Sequence, residues 1–280
     1  MSWHLAIAKW SDCLQDVLVK ISRLPIAGMA LGALWFAAAE QSFCADETAR
    51  ALVRKLDAVR LPGTSFVAEV RTAESGGKKG EERIRFRLYA KEEAGAFSSL
   101  AVLLEPEKDR NKLVLSTRKG TWFCDPRANH ATRISNRQMW KQSFAVDSLT
   151  VRLATDYEAS IAGEETIGTL DSGKRKCRVV ELVPKKRGSN PVRLIRYWVD
   201  ANGRPWQAHF HGGMGNKLLR QARFGSYKTV LGASRPMRMV VTQGDESATL
   251  NFSGHQAASL PDSMFEVKNL PRLQLKESGD

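Results

Sequence analysis

The run at 83–89, RIRFRLY, limits this chain's folding more than any other stretch. Ile84, Phe86 and Leu88 alternate with Arg83, Arg85, Arg87 and Tyr89. A period of two sends successive side chains to opposite faces, so the run reads as a strand with one apolar face and one wet face. Such a strand needs partners at its edges and a cover on its apolar side.

The partners are spread along the chain. Phe66, Ala68 and Val70 alternate with Val67, Glu69 and Arg71. The stretch 112–134, KLVLSTRKGTWFCDPRANHATRI, reads as a strand, a turn at Arg118-Lys119-Gly120, and a short aromatic strand, Trp122-Phe123-Cys124, stopped by Asp125-Pro126. Further strands are expected at 98–104, 165–170, 177–183, 192–200, 205–211, 217–224, 237–242 and 248–254. Asp-Ala-Asn-Gly at 200–203 is a hairpin turn. The count is ten or eleven antiparallel strands. Short strands at even spacing argue for a barrel or a strongly curved sheet.

Helices supply the cover. In 46–61, DETARALVRKLDAVRL, Ala49, Leu52, Val53, Leu56 and Val59 share one face, and Pro62-Gly63 ends the helix. From 135 to 161 the period changes, and Met139, Trp140, Phe144, Leu149 and Leu153 suit one or two short inserted helices. The fold class is therefore mainly β with α. Helices should lie on the concave face. No linker or composition break follows residue 46, so 46–280 reads as one domain.

Residues 1–45 read differently. Lys20 and Arg23 precede the apolar run LPIAGMALGALWFAAA at 24–39, and small residues follow. That order is a secretory signal, and the run is short for a spanning helix. Cleavage is expected after Ala39, Cys44 or Ala45. Cys44 fits a lipid-attachment site poorly, because Phe43 stands where a small residue is needed. Export to an oxidising compartment leaves Cys124 and Cys177 in the body. They could form a disulfide, or be two small buried hydrophobes. A catalytic Cys124 with His130 lacks any surrounding signature.

The net charge is +13. In 1–45, Lys9, Lys20 and Arg23 are balanced by Asp12, Asp16 and Glu40, so the exported body is basic in its own right. The cations form a solvated face or attract anionic lipid or an acidic partner. No helix concentrates them and no nucleic-acid motif is present, so nucleic acid is not the expected partner.

Catalytic patterns fail one by one. His209 and His211 share a strand face, but no third metal ligand is evident. Gly212-Gly213-Met214-Gly215 joins two strands with no helix after it, so it is not a phosphate loop. No Gly-x-Ser-x-Gly element occurs, and Glu164-Glu165 has no acid–base partner at a telling spacing. No catalytic residue, metal or cofactor is expected, and the chain does not read as an enzyme.

The order of parts resembles the periplasmic outer-membrane lipoprotein-sorting proteins, the LolA/LolB-like fold. A helix runs into a strand, LVRKLDAVRLPGTSFVAEV at 52–70. A Gly-Trp hairpin with a Pro-ended strand follows, LVLSTRKGTWFCDP at 113–126. SFAVDSLTVRLA at 143–154 opens the insert. RYWVDANGRPWQAHFHG at 196–212 is a Trp-Val-Asp strand with its turn and partner. LPDSMFEV at 260–267 closes the pattern. Cys124 stands where an aromatic or aliphatic residue is expected, and PKKRGSNP at 184–191 is unusually basic.

The resemblance implies an unclosed antiparallel β-barrel with helices as a lid over a hydrophobic cavity. It implies no turnover. The expected function is a periplasmic carrier, in a Gram-negative type of envelope, for the acyl chains of a lipoprotein or lipid. Its partners would include an inner-membrane transporter or an outer-membrane acceptor. The alternative within the fold is a sensor or adaptor that binds a membrane regulator's periplasmic region. The expected cavity lining is Phe66, Val70, Phe86, Leu88, Leu113, Leu115, Trp122, Trp206, Phe210, Met237, Met239, Leu250 and Phe252.

Overall fold

The computed structural model describes residues 47–75, 82–93, 96–134, 149–186, 191–213 and 215–273. The expected leader and the expected helical residues Met139, Trp140 and Phe144 lie outside the described residues.

Helix α1 spans 47–60. Strands β1 (Phe66–Ser75), β2 (Glu82–Glu93), β3 (Ala96–Glu105), β4 (Leu113–Thr117), β5 (Gly120–Asp125) and β6 (His130–Ile134) follow. A single helical turn, α2 (Leu153–Asp156), then leads into β7 (Tyr157–Gly168), β8 (Lys174–Pro184), β9 (Val192–Val199) and β10 (Pro205–Gly212). The last strands are β11 (Lys217–Val230), β12 (Ala233–Gln243) and β13 (Glu246–Ala257).

All thirteen strands form one antiparallel sheet in the order β6-β5-β4-β3-β2-β1-β13-β12-β11-β10-β9-β8-β7. Two meanders, β1–β6 and β7–β13, are joined at β1 and β13, where Val70 pairs with Phe252. Strands β6 and β7 are neighbours in sequence and sit at opposite edges. The sheet is mainly antiparallel meander and is not closed.

The strand count exceeds the expected ten or eleven. Asp125-Pro126 does not end the meander; it turns the chain back. The Asp125 carboxylate accepts the Arg127 backbone N–H at 3.1 Å and the Arg127 Nη2 at 2.8 Å. Asn129 adopts φ 52°, and β6 then pairs with β5 from Asp125 opposite His130. This is a polar turn within reach of a short aspartate side chain. The helical period read as far as 161 also stops early: after α2 the chain extends at Tyr157.

Both faces of parts of the sheet are covered. One face packs against α1: Leu52, Val53 and Leu56 join Phe66, Val70, Phe86, Leu88, Tyr197, Phe224, Met239 and Leu250 in one buried cluster, with Leu149 and Leu153. On the other face, Leu100, Val102, Leu113, Leu115 and Cys124 pack under Met264, Phe265 and Leu270 of the C-terminal segment. A third cluster holds Cys177, Val179, Trp198 and Trp206. Cys124 and Cys177 are both buried free thiols in different clusters, so the disulfide expectation is corrected. Each packs as a small apolar side chain, without a sulfur partner.

Candidate functional site

The site lies where the C-terminal end of α1 meets the face it covers. Val59, Arg60 and Pro62 form one side of a cleft, with Leu149 beside them. Phe66 and Leu88, then Phe224, Met239 and Phe252, form its apolar floor. Tyr197, Pro205, Arg235, Pro236 and His255 complete the lining. The enclosed space is about 80 Å³. That holds a few water-sized groups. Sites for drug-sized ligands run to roughly 300–1,000 Å³.

The walls are positioned by polar ties between distant segments. Asp57 is buried on α1, yet its carboxylate accepts the backbone N–H groups of Leu153 at 3.2 Å and Ala154 at 2.9 Å. Arg60 Nη1 donates to the same carboxylate at 2.7 Å. One carboxylate thus satisfies the first donors of α2 and pairs a cation on α1. Two residues before Asp57 on α1, Lys55 Nζ donates to Ala201 O at 3.4 Å. Gly203, at φ +84°, sits so close beneath the helix that an added Cβ would come within 2.6 Å of Lys55 Cβ. Glycine at the hairpin turn therefore serves both the turn and the helix contact.

Arg235 holds the end of the helix. It is 5% exposed, and its guanidinium donates to Val59 O of α1, to Val230 O at 3.2 Å and to Leu231 O at 3.4 Å. The terminal carbonyls of a helix lack internal partners and carry partial negative charge, which a cation offsets. Burial lowers the Arg235 guanidinium to about 10, so it stays charged at neutral pH. Burial, and then the nearby Arg235 charge, lower the His255 imidazole. The His255 ring stacks 5.9 Å from Phe66 and lies 6.3 Å from Phe252. Burial pushes up the Tyr197 hydroxyl, and that of Tyr157 to about 12, so both are neutral donors.

Of the residues expected to line a cavity, Phe66, Leu88, Met239 and Phe252 line this cleft. Val70, Phe86 and Leu250 are buried deeper in the same cluster, and Phe210 packs against it. Met237 is buried two residues from Met239 and does not line the cleft. Leu113 and Leu115 belong to the cluster under the C-terminal segment, with Trp122 packed on it, while Val114 faces the α1 side. Strand β4 is buried on both faces, so alternation could not tell which of its faces is inward. Trp206 lies in the third cluster, its Nε1 donating to Asp200 Oδ2 at 3.2 Å.

Sequence reasoning missed Arg235, His255, Tyr197 and Phe224. Arg235 was legible in principle. It shares a period-two stripe with Met237, Met239 and Val241, which places a cation on a buried face.

A second groove of about 560 Å³ lies by Phe97, Trp122 and Phe265, near the C-terminal segment. Its rim carries both signs of charge, with Arg118, Lys119 and Lys268 against Glu93, Asp262 and Glu266. His209 and His211 lie with ring centroids 6.0 Å apart, and His211 Nδ1 is 3.0 Å from Asn216 O. No cluster of three metal-ligating side chains occurs among the described residues.

A family model described as an uncharacterized protein matches residues 95–272, more than half of the chain. No curated protein matches in sequence. Solved structures do match. A LolA superfamily protein from Nitrosomonas europaea is 24% identical with a TM-score of 0.65, over 78% of this chain and 97% of that one. A domain described as an outer membrane lipoprotein-sorting protein, from Vibrio parahaemolyticus, is 21% identical with a TM-score of 0.68, over 81% and 100%. A DUF1329 family protein from Desulfovibrio piger is 19% identical with a TM-score of 0.67, over 81% and 99%. At these identities the likeness is one of fold.

Proposed function

We propose that residues 46–280, which share the fold of LolA superfamily proteins, form a carrier domain that takes the acyl chains of a lipoprotein or lipid into the cleft beneath α1. It is exported by the leader at 1–45, works in the periplasm, and hands its cargo between an inner-membrane transporter and an outer-membrane acceptor. Its work is binding and release, without turnover.

The observation that carries this reading is the cleft itself, an apolar floor of Phe66, Leu88, Phe224, Met239 and Phe252 beneath a separate helix. An acyl chain in water costs ~0.8 kcal/mol per exposed CH₂, so burial there drives uptake. At about 80 Å³ the cleft is narrow at rest. Uptake therefore displaces α1 or Leu149, while the sheet keeps its hydrogen-bonded register. The helix is well placed for such a shift, because it docks on the sheet through side chains and shares none of its strand ladder.

Native mass spectrometry of the protein taken from cells, without detergent, tests the reading. The expected spectrum has a mass increment that denaturation releases as lipid. A clean apo mass from membrane-replete cells rejects the carrier.

The narrowness of the cleft favours one rival, an adaptor of the same fold that binds a membrane regulator's periplasmic region. Capture of one protein partner at equal strength by lipid-loaded and lipid-stripped protein would support that rival.

A further inference from the structure

The cleft is apolar along its floor but not electrically neutral. Arg60, Arg235 and His255 line it, and among the described residues no carboxylate does. Arg60 has its counter-ion in Asp57, 2.7 Å away. The partly buried Arg204 has Asp200 at 2.8 Å. Arg235 is more buried than Arg204, and its guanidinium donates to three carbonyls. Among the described residues it has no carboxylate partner.

A buried guanidinium without a counter-ion is costly. Capping α1 explains one of its bonds, to Val59 O. It does not explain why a charged group, with its planar fork of donors, opens onto an apolar cleft beside an imidazole. His255 sits at the junction. Its ring contacts Phe66 and Phe252, both part of the apolar floor, while its charge state responds to Arg235. A polar end and a greasy floor are thus contiguous, and the polar end is cationic.

We propose that the cleft takes an amphiphile with an anionic oxygen head, a carboxylate or phosphate, seated on Arg235 and His255, with its tail along Phe66, Leu88, Met239 and Phe252. The inference rests on the carrier reading and names its ligand class. The head supplies the counter-charge that Arg235 lacks. A planar carboxylate or a phosphate matches the fork of the guanidinium.

The test is calorimetric titration of the delipidated protein with dodecanoate, dodecyl phosphate, dodecanol and acetate, each below its aggregation limit. Dodecanoate and dodecyl phosphate should bind roughly tenfold or more tightly than dodecanol, as one charge-assisted contact predicts. Acetate should show no measurable binding. Arg235→Gln should bring dodecanoate down to the level of dodecanol, and Arg235→Lys should keep part of the preference. If Arg235→Gln does not fold, the comparison of ligands on the unaltered protein decides alone. Equal affinity for dodecanoate and dodecanol overturns the anionic head and leaves the carrier standing. Failure of every alkyl ligand overturns the carrier reading as well. Acetate binding as tightly as dodecanoate overturns the amphiphile. Retention of the full preference in Arg235→Gln overturns the assignment to Arg235.

Discussion

The Asp57 carboxylate accepts the backbone N–H of Ala154 at 2.9 Å, across 97 residues of chain. It accepts Leu153 N–H and the Arg60 side chain as well. This one buried group joins the helix over the cleft to the segment that enters β7. Removing it takes the acceptor from two backbone donors and the carboxylate from the half-buried Arg60. Asp57→Ala should lower unfolding free energy by about 3 kcal/mol or more. Asp57→Asn keeps one acceptor oxygen and should cost less. Chemical denaturation of the two variants checks the order, and equal losses would show that the retained oxygen contributes nothing and the charge carries the whole effect.

Gly203 should tolerate no side chain. It sits at φ +84°, and an added Cβ would meet the Lys55 backbone carbon at 2.7 Å. Gly203→Ala should cost roughly 2–3 kcal/mol, from left-handed strain plus displacement of α1. A midpoint unchanged in urea would mean that the helix does not press on this turn.

Truncations on the two faces should separate stability from binding. Leu115→Ala, in the cluster under the C-terminal segment, should cost about 2–5 kcal/mol and leave the retained lipid unchanged. Phe252→Ala, on the cleft floor, should change which lipid is retained at a smaller cost in stability, since Phe252 is only partly buried. Unfolding curves and native mass spectra of both variants read the two effects. Loss of lipid in Leu115→Ala at full folding would shift attention to the groove beside Trp122.

The two thiols should be silent until the protein unfolds. Burial first, and then Asp200, push the Cys177 thiol up to about 11 from its ordinary 9.0. Burial also raises Cys124. The thiolate is the reactive form, so alkylation of native protein at pH 8 should be slow, and denaturant should expose both sites. The sign for stability follows. The folded state holds Cys177 neutral where the unfolded state ionises, so stability is intact below pH 9 and falls as pH rises towards about 11. Cys177→Ala should flatten that slope. An oxidised pair found by mass analysis of unreduced protein would contradict the free thiols.

Much of the architecture was legible from alternation alone. Ile84, Phe86 and Leu88 all reach the α1 side, and Tyr89 packs on the other. The face of α1 read from 46–61 is buried at Ala49, Leu52, Val53, Leu56 and Val59. The hairpin at 200–203 forms as expected, closed by Asp200 Oδ1 accepting Asn202 N–H at 2.9 Å. Strand β6 was missed because proline after aspartate reads as a stop, and only the Asp125–Arg127 bonding shows that it turns. Leu113 and Leu115 could not be assigned a face, because both faces of β4 are buried and alternation there carries no contrast.

The local pattern of this chain determined that it would make an antiparallel sheet of two-faced strands with an amphipathic helix to cover it. That information is short-range: side-chain parity along a strand and the apolar stripe of a helix need only neighbouring residues. Which apolar face is inward, and which cation ends beside the cleft, depended on contacts between segments far apart in sequence. Arg235 meets Val59 across 176 positions, and only the assembled sheet brings that guanidinium to the end of the helix. A charge on a buried stripe is visible in one dimension; what it faces is a property of three.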